Sequence, residues 1–559
     1  MSAGAAAGFE ASAPEPAEET WRGLDRSEQA LIIVLSLVGL ALRVLGFFRY
    51  RFDSDEPQHL HVAWGWMTGL VQYRDLFDNH APLFHMLTAP LLALVGERPD
   101  ALLYMRLPMV PLFAVVVAAT YVIGRRLYTQ RIAIWSALIL TLMPGFFLKT
   151  LEFRTDNLWI AVWMIALVVL TGGALTGSRI FLIGLILGIA FCVSLKTFLL
   201  IITVGGAALI TYLLCERRPA AWPIVRTLLV ALGGFVIVPA AVAAYFISVG
   251  AWKDLVYCNF TFNKLVGETR DNVWLWRAFF PIAMAVLLYE AWSVSRRREF
   301  DGSARWRFYF AVALALFLIT LRSFWIMIST RDFLPLMPIG AIFLAALVAR
   351  WRFTRPYLVP ILACAGVVCA GFKLHYISPG GQQTRRDLAF TREVLSLTRK
   401  GEPIMDLKGE SIFRPRPFYN IFEAISRAQM QQGLLRDTIP ESMIAARCHV
   451  AIADNNFFPP RGRKFLNDNF LNLGSLRASG QWIAGDGSFN IAVEGDYVIV
   501  ARGGEARGSL DGTPYNGPRK LAAGRHVFTS SGQAERLAVF WAPAYGRGYS
   551  PFHVKERQL

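Results

Sequence analysis

Apolar residues gather in runs of about 20 over the first 375 positions, the length that carries a helix across a bilayer. The runs predict spans at roughly 30–48, 103–123, 132–149, 157–174, 179–195, 198–215, 227–249, 274–294, 308–322, 333–349 and 356–375, about eleven in all. The first lacks a small-residue cleavage site and reads as a retained span. Beyond 377 the long apolar runs give way to Gly, Pro, Asn and Arg. There, residues 384–409 predict a helix and a buried strand, and 446–457 another strand ending in a polar turn. From about 478 short alternating segments between Gly, Asn and Asp turns predict a small antiparallel sandwich. Residues 1–28, rich in Ala, Pro and Glu, predict a disordered cytoplasmic tail.

Basic loops orient the spans. The segments 124–131, 216–226, 296–307 and 349–355 are arginine-rich and belong on the cytoplasmic side. Residue 49 is then outside and Arg125 inside, so a single span lies between them. The apolar stretch 82–96 is therefore not a span but an amphipathic or re-entrant segment on the outer surface. It belongs to an external loop, 50–102. The same threading puts 149–157, 194–198, 250–273, 329–335 and everything after 377 on that face. The unusual charges near membrane ends converge there.

The formal charge of +17, with 55% hydrophobic residues and mean hydropathy +0.41, follows from these cytoplasmic loops and gives no indication of nucleic-acid binding. Six cysteines are scattered without a CxxC. Cys258 and Cys448 alone fall outside, and the topology admits a bridge between them. WGWM (64–67) and VWLWRAFF (273–280) suit interfacial aromatic belts.

The chemistry concentrates in DSDEPQHLHV (53–62), just beyond the first span. Asp53, Asp55 and Glu56 supply carboxylates. Arg154, Lys196 and Arg331 supply cations on the same face, with Arg106, Lys149 and His80 in reserve. Transfer of a sugar from a lipid phosphate needs this combination: a carboxylate to orient the nucleophile and take its proton, and cations to stabilise the departing phosphate. Asp53, His59, Arg106 and Asp156 are expected at the substrate. Asp53-Ser54-Asp55 also reads as DxD, and Asp55 and His59 share a helical face. Asp53, Asp55 and His59 are thus metal candidates, for Mg²⁺, Mn²⁺ or Zn²⁺. The structural alternatives are a helix cap for Asp55 or Glu56, since Pro57 suits a first helical turn, and hydrogen bonding within the loop for His59 and His61. His80 is expected at the site; His85 has no assigned role.

The combination DEPQHLHVAW with YRDLFDNHAPL, followed by MRLP (105–108), EFRTDN (152–157), SLK (194–196) and RDFLPLMP (331–338), resembles the GT-C glycosyltransferases. The likeness is to the glycosyltransferase family 39 / protein O-mannosyltransferase-like group that includes lipid A aminoarabinose transferases, over roughly 30–376. It implies a GT-C-type α-helical polytopic domain at 29–376, an inverting transfer from a polyprenyl-phosphate sugar, a catalytic Asp55 and a supporting Glu56. Donor phosphate would fall to Arg154, Lys196, Arg331 and His80. The stretch DNHAPL departs from relatives that carry a lysine before it, with His80 where that cation is expected. The expected setting is a bacterial inner membrane with the N-terminus cytoplasmic. A periplasmic α/β segment (377–477) and a β-rich domain (478–559) would follow. The partners would be the lipid-linked donor, membrane lipids and a periplasmic acceptor. A flippase or a non-catalytic lipid-phosphate receptor are the rivals. The absence of a repeat and the gathering of charge at one face rather than mid-membrane disfavour transport.

Overall fold

The computed structural model describes residues 21–215, 221–264, 273–295, 302–325, 328–350, 358–454, 456–532 and 536–553. Most of the expected tail and parts of the basic loops at 216–226, 296–307 and 349–355 lie outside the described residues.

The membrane part is helical: α1 (Arg26–Arg49), α2 (Asp55–Met67), α3 (Leu83–Val95), α4 (Ala101–Met105), α5 (Met109–Leu127), α6 (Gln130–Leu142), α7 (Pro144–Lys149), α8 (Thr155–Thr171), α9 (Gly177–Val193), α10 (Thr197–Cys215), α11 (Ala221–Ser248), α12 (Trp252–Val256), α13 (Phe262–Lys264), α14 (Val273–Ser295), α15 (Gly302–Phe324), α16 (Met337–Arg350) and α17 (Leu358–Leu397). Among the described residues six helices are long and apolar enough to cross a membrane: 26–49, 101–127, 197–214, 221–248, 274–293 and 302–324. The apolar helices at 83–95, 130–142, 155–171, 177–193 and 337–347 are shorter.

Two expected spans differ in form. The segment 132–149 is broken at Met143, whose backbone is extended, because Pro144 has no N–H to donate and drives the residue before it out of the helical region. The last, expected to end at 375, continues as one helix to Leu397 through Pro379, Gly380 and Gly381. At 1.5 Å per residue its 40 residues extend roughly 60 Å, twice a bilayer core. Helix α3 buries Phe84, His85, Thr88, Ala89 and Leu92 and exposes Leu87, Leu91 and Leu94, an amphipathic helix too short for a comfortable crossing.

Close packing orients the spans around the external face. Gly184 and Gly188 of α9 face Ala231 and Phe235 of α11. Gly234 of α11 faces Phe181 in return, so closely that an added Cβ at any of the three would overlap backbone. Small residues four apart let two helices touch in a medium where apolar burial provides no drive for association. Arg43 of α1, buried within the membrane part, donates to Thr150 Oγ1 (2.9 Å) and the Thr150 carbonyl (2.8 Å), with its guanidinium over the Phe113 ring. This anchors the 149–154 connection.

Beyond α17 come β1 (Ile404–Met405), α18 (Ala424–Gln431), α19 (Ile439–Ala445), β2 (Val450–Ile452), α20 (Pro460–Asn469), β3 (Phe470–Asn472), β4 (Leu476–Trp482), β5 (Ser488–Ile491), β6 (Gly495–Ala501), β7 (Gly504–Glu505), β8 (Gly508–Leu510), β9 (Thr513–Tyr515), β10 (Arg519–Leu521), β11 (Gly524–Ser530), β12 (Ala538–Trp541) and α21 (Ala542–Gly546). One sheet runs β1-β2-β4-β12-β6-β10, with β3 on β4 and β7 on β6; a second runs β5-β11-β8-β9. Strands β1 and β2 are parallel, the rest antiparallel. The expected division at 477/478 falls inside β4, which joins the α/β strands to the later ones in one sheet. Cys258 and Cys448 are both buried and free. They sit in separate apolar clusters, so the admitted bridge does not form.

Valine at Gly188 should force α9 from α11 and destabilise the protein by roughly 1–3 kcal/mol, seen as a lower unfolding midpoint in detergent. The open position Gly205, which has nothing within van der Waals reach of a Cβ, should tolerate alanine.

Candidate active site

The site is organised by the first turn of α2. Glu56 is wholly buried and paired bidentately with Arg106, at 2.5 Å to Oε1 and 2.8 Å to Oε2. Its two oxygens also accept the Asp53 N–H (2.9 Å) and the Phe153 N–H (2.7 Å). Arg106 spends its remaining donors on the Tyr50 and Arg51 carbonyls. A buried ion pair is tolerated when every polar atom is met in this way. It fixes the end of α1, the start of α2, the 153 connection and the α4–α5 junction to one another. Asp55 immediately precedes it as the first residue of the helix, about 100° round the axis, with its side chain 22% exposed.

Cations arrive from four other connections. Arg154 binds Asp53 (2.8 Å) and Asp55 through Nη1, and Asp156 through Nε (3.3 Å). Arg331, in a one-turn 3₁₀ helix over Thr330–Phe333, binds Asp53 and Glu152, the latter at 3.1 Å. Lys149 binds Glu152 at 2.7 Å. Lys196, at the α9–α10 turn, lies between Asp156 (3.1 Å) and Asp332 (2.6 Å). Lys408, from the loop after β1, binds the other oxygen of Asp55 and donates to Ser54 Oγ at 3.1 Å. Five carboxylates (Asp53, Asp55, Glu152, Asp156, Asp332) thus face five cations (Lys149, Arg154, Lys196, Arg331, Lys408).

These neighbours set the titration. Burial alone would raise the Asp55 pKa, but Arg154 and Lys408 outweigh it and hold the carboxyl well below the usual range. Burial would likewise raise Asp53, and Arg154 and Arg331 depress it. Burial prevails at Glu152, which is raised despite Arg331 and Lys149. For Lys196 burial opposes charge, and Asp156 and Asp332 overcome it.

A second polar chain borders the cluster. The buried Asp78 accepts from Gln72 (2.7 Å) and Gln58 (3.3 Å) and meets His80 Nδ1 at 2.8 Å and His85 Nδ1 at 3.5 Å. His85 Nε2 meets His59 Nδ1 at 3.0 Å, and the His59 and His80 rings lie edge to face at 4.5 Å. Burial would lower the His80 pKa; Asp78 overrides it and raises it above 6.5. For His59 burial dominates and lowers the value. His80, with its side chain 26% exposed, is the protonatable group of this chain that reaches the surface of the site.

The structure places the expected residues as follows. Glu56 and Arg106 are engaged with each other and with backbone. His59 turns to His85, and Asp53 and Asp55 already hold cations, with Arg154 where a shared metal ion would sit. No group of three metal-binding side chains forms among the described residues, and the DxD donor set does not fit a metal. His61 bonds the Ile412 carbonyl at 2.8 Å, the hydrogen-bonding alternative. Asp55, Arg154, Lys196, Arg331, Asp53 and Asp156 are brought into one network, with His80 beside it. Sequence reasoning missed Lys408, Asp78 and Asp332. Of these, only Asp332 carried a local signal, the reciprocal bonds with Ser329 three residues earlier.

Glu56→Gln should leave Arg106 buried with half its compensation and cost ~3–5 kcal/mol. Asp55→Asn, at a partly exposed carboxylate, should change the unfolding midpoint little; the two melts in one detergent compare them. His80 is cationic below its raised pKa and neutral above it. A contribution of that charge to anion binding should therefore fade as pH rises through a value above 6.5. His80→Gln should remove that limb from the binding profile, and Asp78→Asn should move it to lower pH.

Residues 79–245 match the dolichyl-phosphate-mannose-protein mannosyltransferase family profile. No curated protein sequence matches the chain. The fold is similar to ArnT from Cupriavidus metallidurans bound to undecaprenyl phosphate: TM-score 0.54, 12% identity, covering 76% of this chain and 94% of that one. The apo state of that protein gives 0.52 at 12% identity, with 80% and 98% covered. The Archaeoglobus fulgidus oligosaccharyltransferase gives 0.46 at 12% identity, with 80% and 72% covered. At such identities the ArnT matches speak for a shared helical membrane fold. The family match spans 79–245, less than half of the chain, and begins inside the site's own DNHAPL stretch; over that segment the chain is similar to the dolichyl-phosphate-mannose-protein mannosyltransferases.

Proposed function

We propose that this protein is an integral-membrane, inverting glycosyltransferase that moves a sugar from a polyprenyl-phosphate carrier to an acceptor at the external face. Its setting would be a bacterial inner membrane, crossed about eleven times, with the N-terminus cytoplasmic and the region after α17 periplasmic. The observation that carries this reading is the coincidence, at one membrane face, of the partly exposed carboxylate of Asp55 with Arg154, Arg331 and Lys196. The structural likeness to a protein bound to undecaprenyl phosphate supports the donor class.

In this reading the acceptor's hydrogen-bonded O–H or N–H is oriented by Asp55. Its heteroatom attacks the anomeric carbon from the side opposite the lipid phosphate. The anomeric carbon–oxygen bond breaks, the electron pair leaves on phosphate, and the acceptor's proton passes to Asp55. Arg154, Arg331 and Lys196 are the cations that stabilise charge on that phosphate, and His80 adds a titratable one. A carboxylate so strongly depressed is a weak base but is fully ionised. Its strength as a base grows as its cations transfer to the incoming phosphate.

Purified protein with a panel of polyprenyl-phosphate sugars and envelope lipids as acceptors should transfer one of the sugars. Asp55→Asn should lower the rate by about 10²–10⁴-fold with lipid binding retained. Unchanged transfer by that variant, or tight lipid binding by the wild type without any transfer, would overturn the reading.

A further inference from the structure

One cation reaches Asp55 from more than 300 residues away. Lys408 Nζ contacts Asp55 Oδ1 and lies 3.1 Å from Ser54 Oγ. Arg154 takes the other oxygen. The acceptor-binding carboxylate of the proposed reaction is therefore held by one cation of the membrane part and one of the extramembrane region.

The loop that carries Lys408 is built to hold it there. Asp406, fully buried, accepts the N–H groups of Gly409 (3.0 Å) and Ser411 (2.9 Å), the Ser411 hydroxyl (2.7 Å) and Arg416 Nε (2.6 Å). Glu410 accepts the N–H groups of Leu407 (3.1 Å) and Lys408 (2.8 Å). Gly409 has φ +100°, and a Cβ there would lie 2.9 Å from the His61 side chain. Only glycine lets the loop pass so close to α2. The loop is docked on both sides. Ile412 and Phe413 join the apolar core of the membrane part, and Ile421 and Ile425 pack with Val71, Tyr73 and Phe77 of the external loop. Arg414 reaches Glu97 at 3.2 Å. A surface lysine making a casual ion pair needs none of this.

The charges around Asp55 indicate what the lysine does. The cluster is electrically balanced without substrate. An anion can enter only if a cation leaves a carboxylate for it, and Asp55 can work on an acceptor only once it is less tightly held. Lys408 can meet both requirements by rotation about the bonds of its four-carbon stem, since it is paired with Asp55 and its loop is fixed. Arg154, shared among three carboxylates, is the more firmly placed of the two. Glu423, Glu410, His80 and His59 are further titratable groups near enough to Asp55 or Lys408 to feel them.

We propose that Lys408 is a substrate-binding residue of this enzyme: when the donor binds, its ammonium exchanges the Asp55 carboxylate for the donor's phosphate and frees Asp55 for the acceptor. This inference rests on the transferase reading given above, and the active site is then shared between the membrane part and the region after α17.

The test uses the full-length protein in detergent with polyprenyl phosphate, without sugar or acceptor, as the binding probe. Wild type, Lys408→Gln and Lys408→Arg are compared, with unfolding midpoints confirming that each is folded. Lys408→Gln should weaken lipid-phosphate binding by about tenfold or more, and Lys408→Arg should restore most of it. In transfer assays Lys408→Gln should raise the donor KM, and the acid limb of the rate should move to higher pH as Asp55 loses one of its cations. Unchanged polyprenyl-phosphate binding by a folded Lys408→Gln would overturn the proposal. So would weaker acceptor use with the donor unaffected, which would assign the cation to an anionic acceptor instead. Failure of the wild type to transfer any sugar while Lys408→Gln still loses lipid-phosphate binding would remove the transferase reading and leave the phosphate contact standing.

Discussion

The Glu56–Arg106 pair is the joint on which the external face depends. Four segments that would otherwise meet only at their solvated ends are tied by one carboxylate: the end of the first span, the start of α2, the connection carrying Arg154, and the turn before α5. Both partners are shielded from water; backbone N–H groups meet the carboxylate and two backbone carbonyls meet the guanidinium. The attraction in such surroundings compensates desolvation only because the geometry is complete. The pair contributes position more than stability. It sets the direction of α2 and so aims the following network of charges.

That network solves a problem particular to membrane edges. Charges near hydrocarbon are costly unless neutralised, yet a site for a lipid phosphate must offer several cations. Here each cation is balanced by carboxylates, most of them shared: Arg154 among three, Lys196 between two, Arg331 between two. Sharing places each of these cations between several carboxylates and balances the charge of the cluster, whereas Lys408 is paired with Asp55.

Much of this was legible in the chain because bilayers impose simple rules. Span length put helices near the expected positions and set the short 83–95 apart from the long apolar helices. Together with the arginine loops it also collected Asp55, Arg154, Lys196 and Arg331 on one face. What failed to show was anything decided by direction within a turn or by contact over long separation. Asp55 and Glu56 are adjacent and chemically alike; which is buried depends on where Arg106 waits, 50 residues on. Arg106 and Arg154 look equally available from sequence, yet only one is fully consumed by structure. The Pro-Gly-Gly at 379–381 reads as a break and is helix, since packing against α1 supports a backbone that local preference would interrupt. The sheet joining β1 and β2 to β12 and β6 has no local signature, because pairing partners in a sheet are set by the tertiary fold.

Lys408 shows why the last residues of a site are the hardest to see. Its neighbours, a buried Asp406, a Glu410 turned onto backbone N–H groups and a glycine at positive φ, form a tight turn that reads as ordinary loop chemistry. The turn acquires its meaning only when Ile412 and Phe413 dock into the membrane core and Ile421 into the external loop. Apolar contacts flanking the turn then fix where its one site-facing charge lies. A rigid support under a long flexible stem is the arrangement that permits one charge to serve two anions in turn: the support fixes the centre of the arc, and the stem sweeps it. A short or branched side chain on the same support, or the same lysine on a loose loop, would lose one of those two properties.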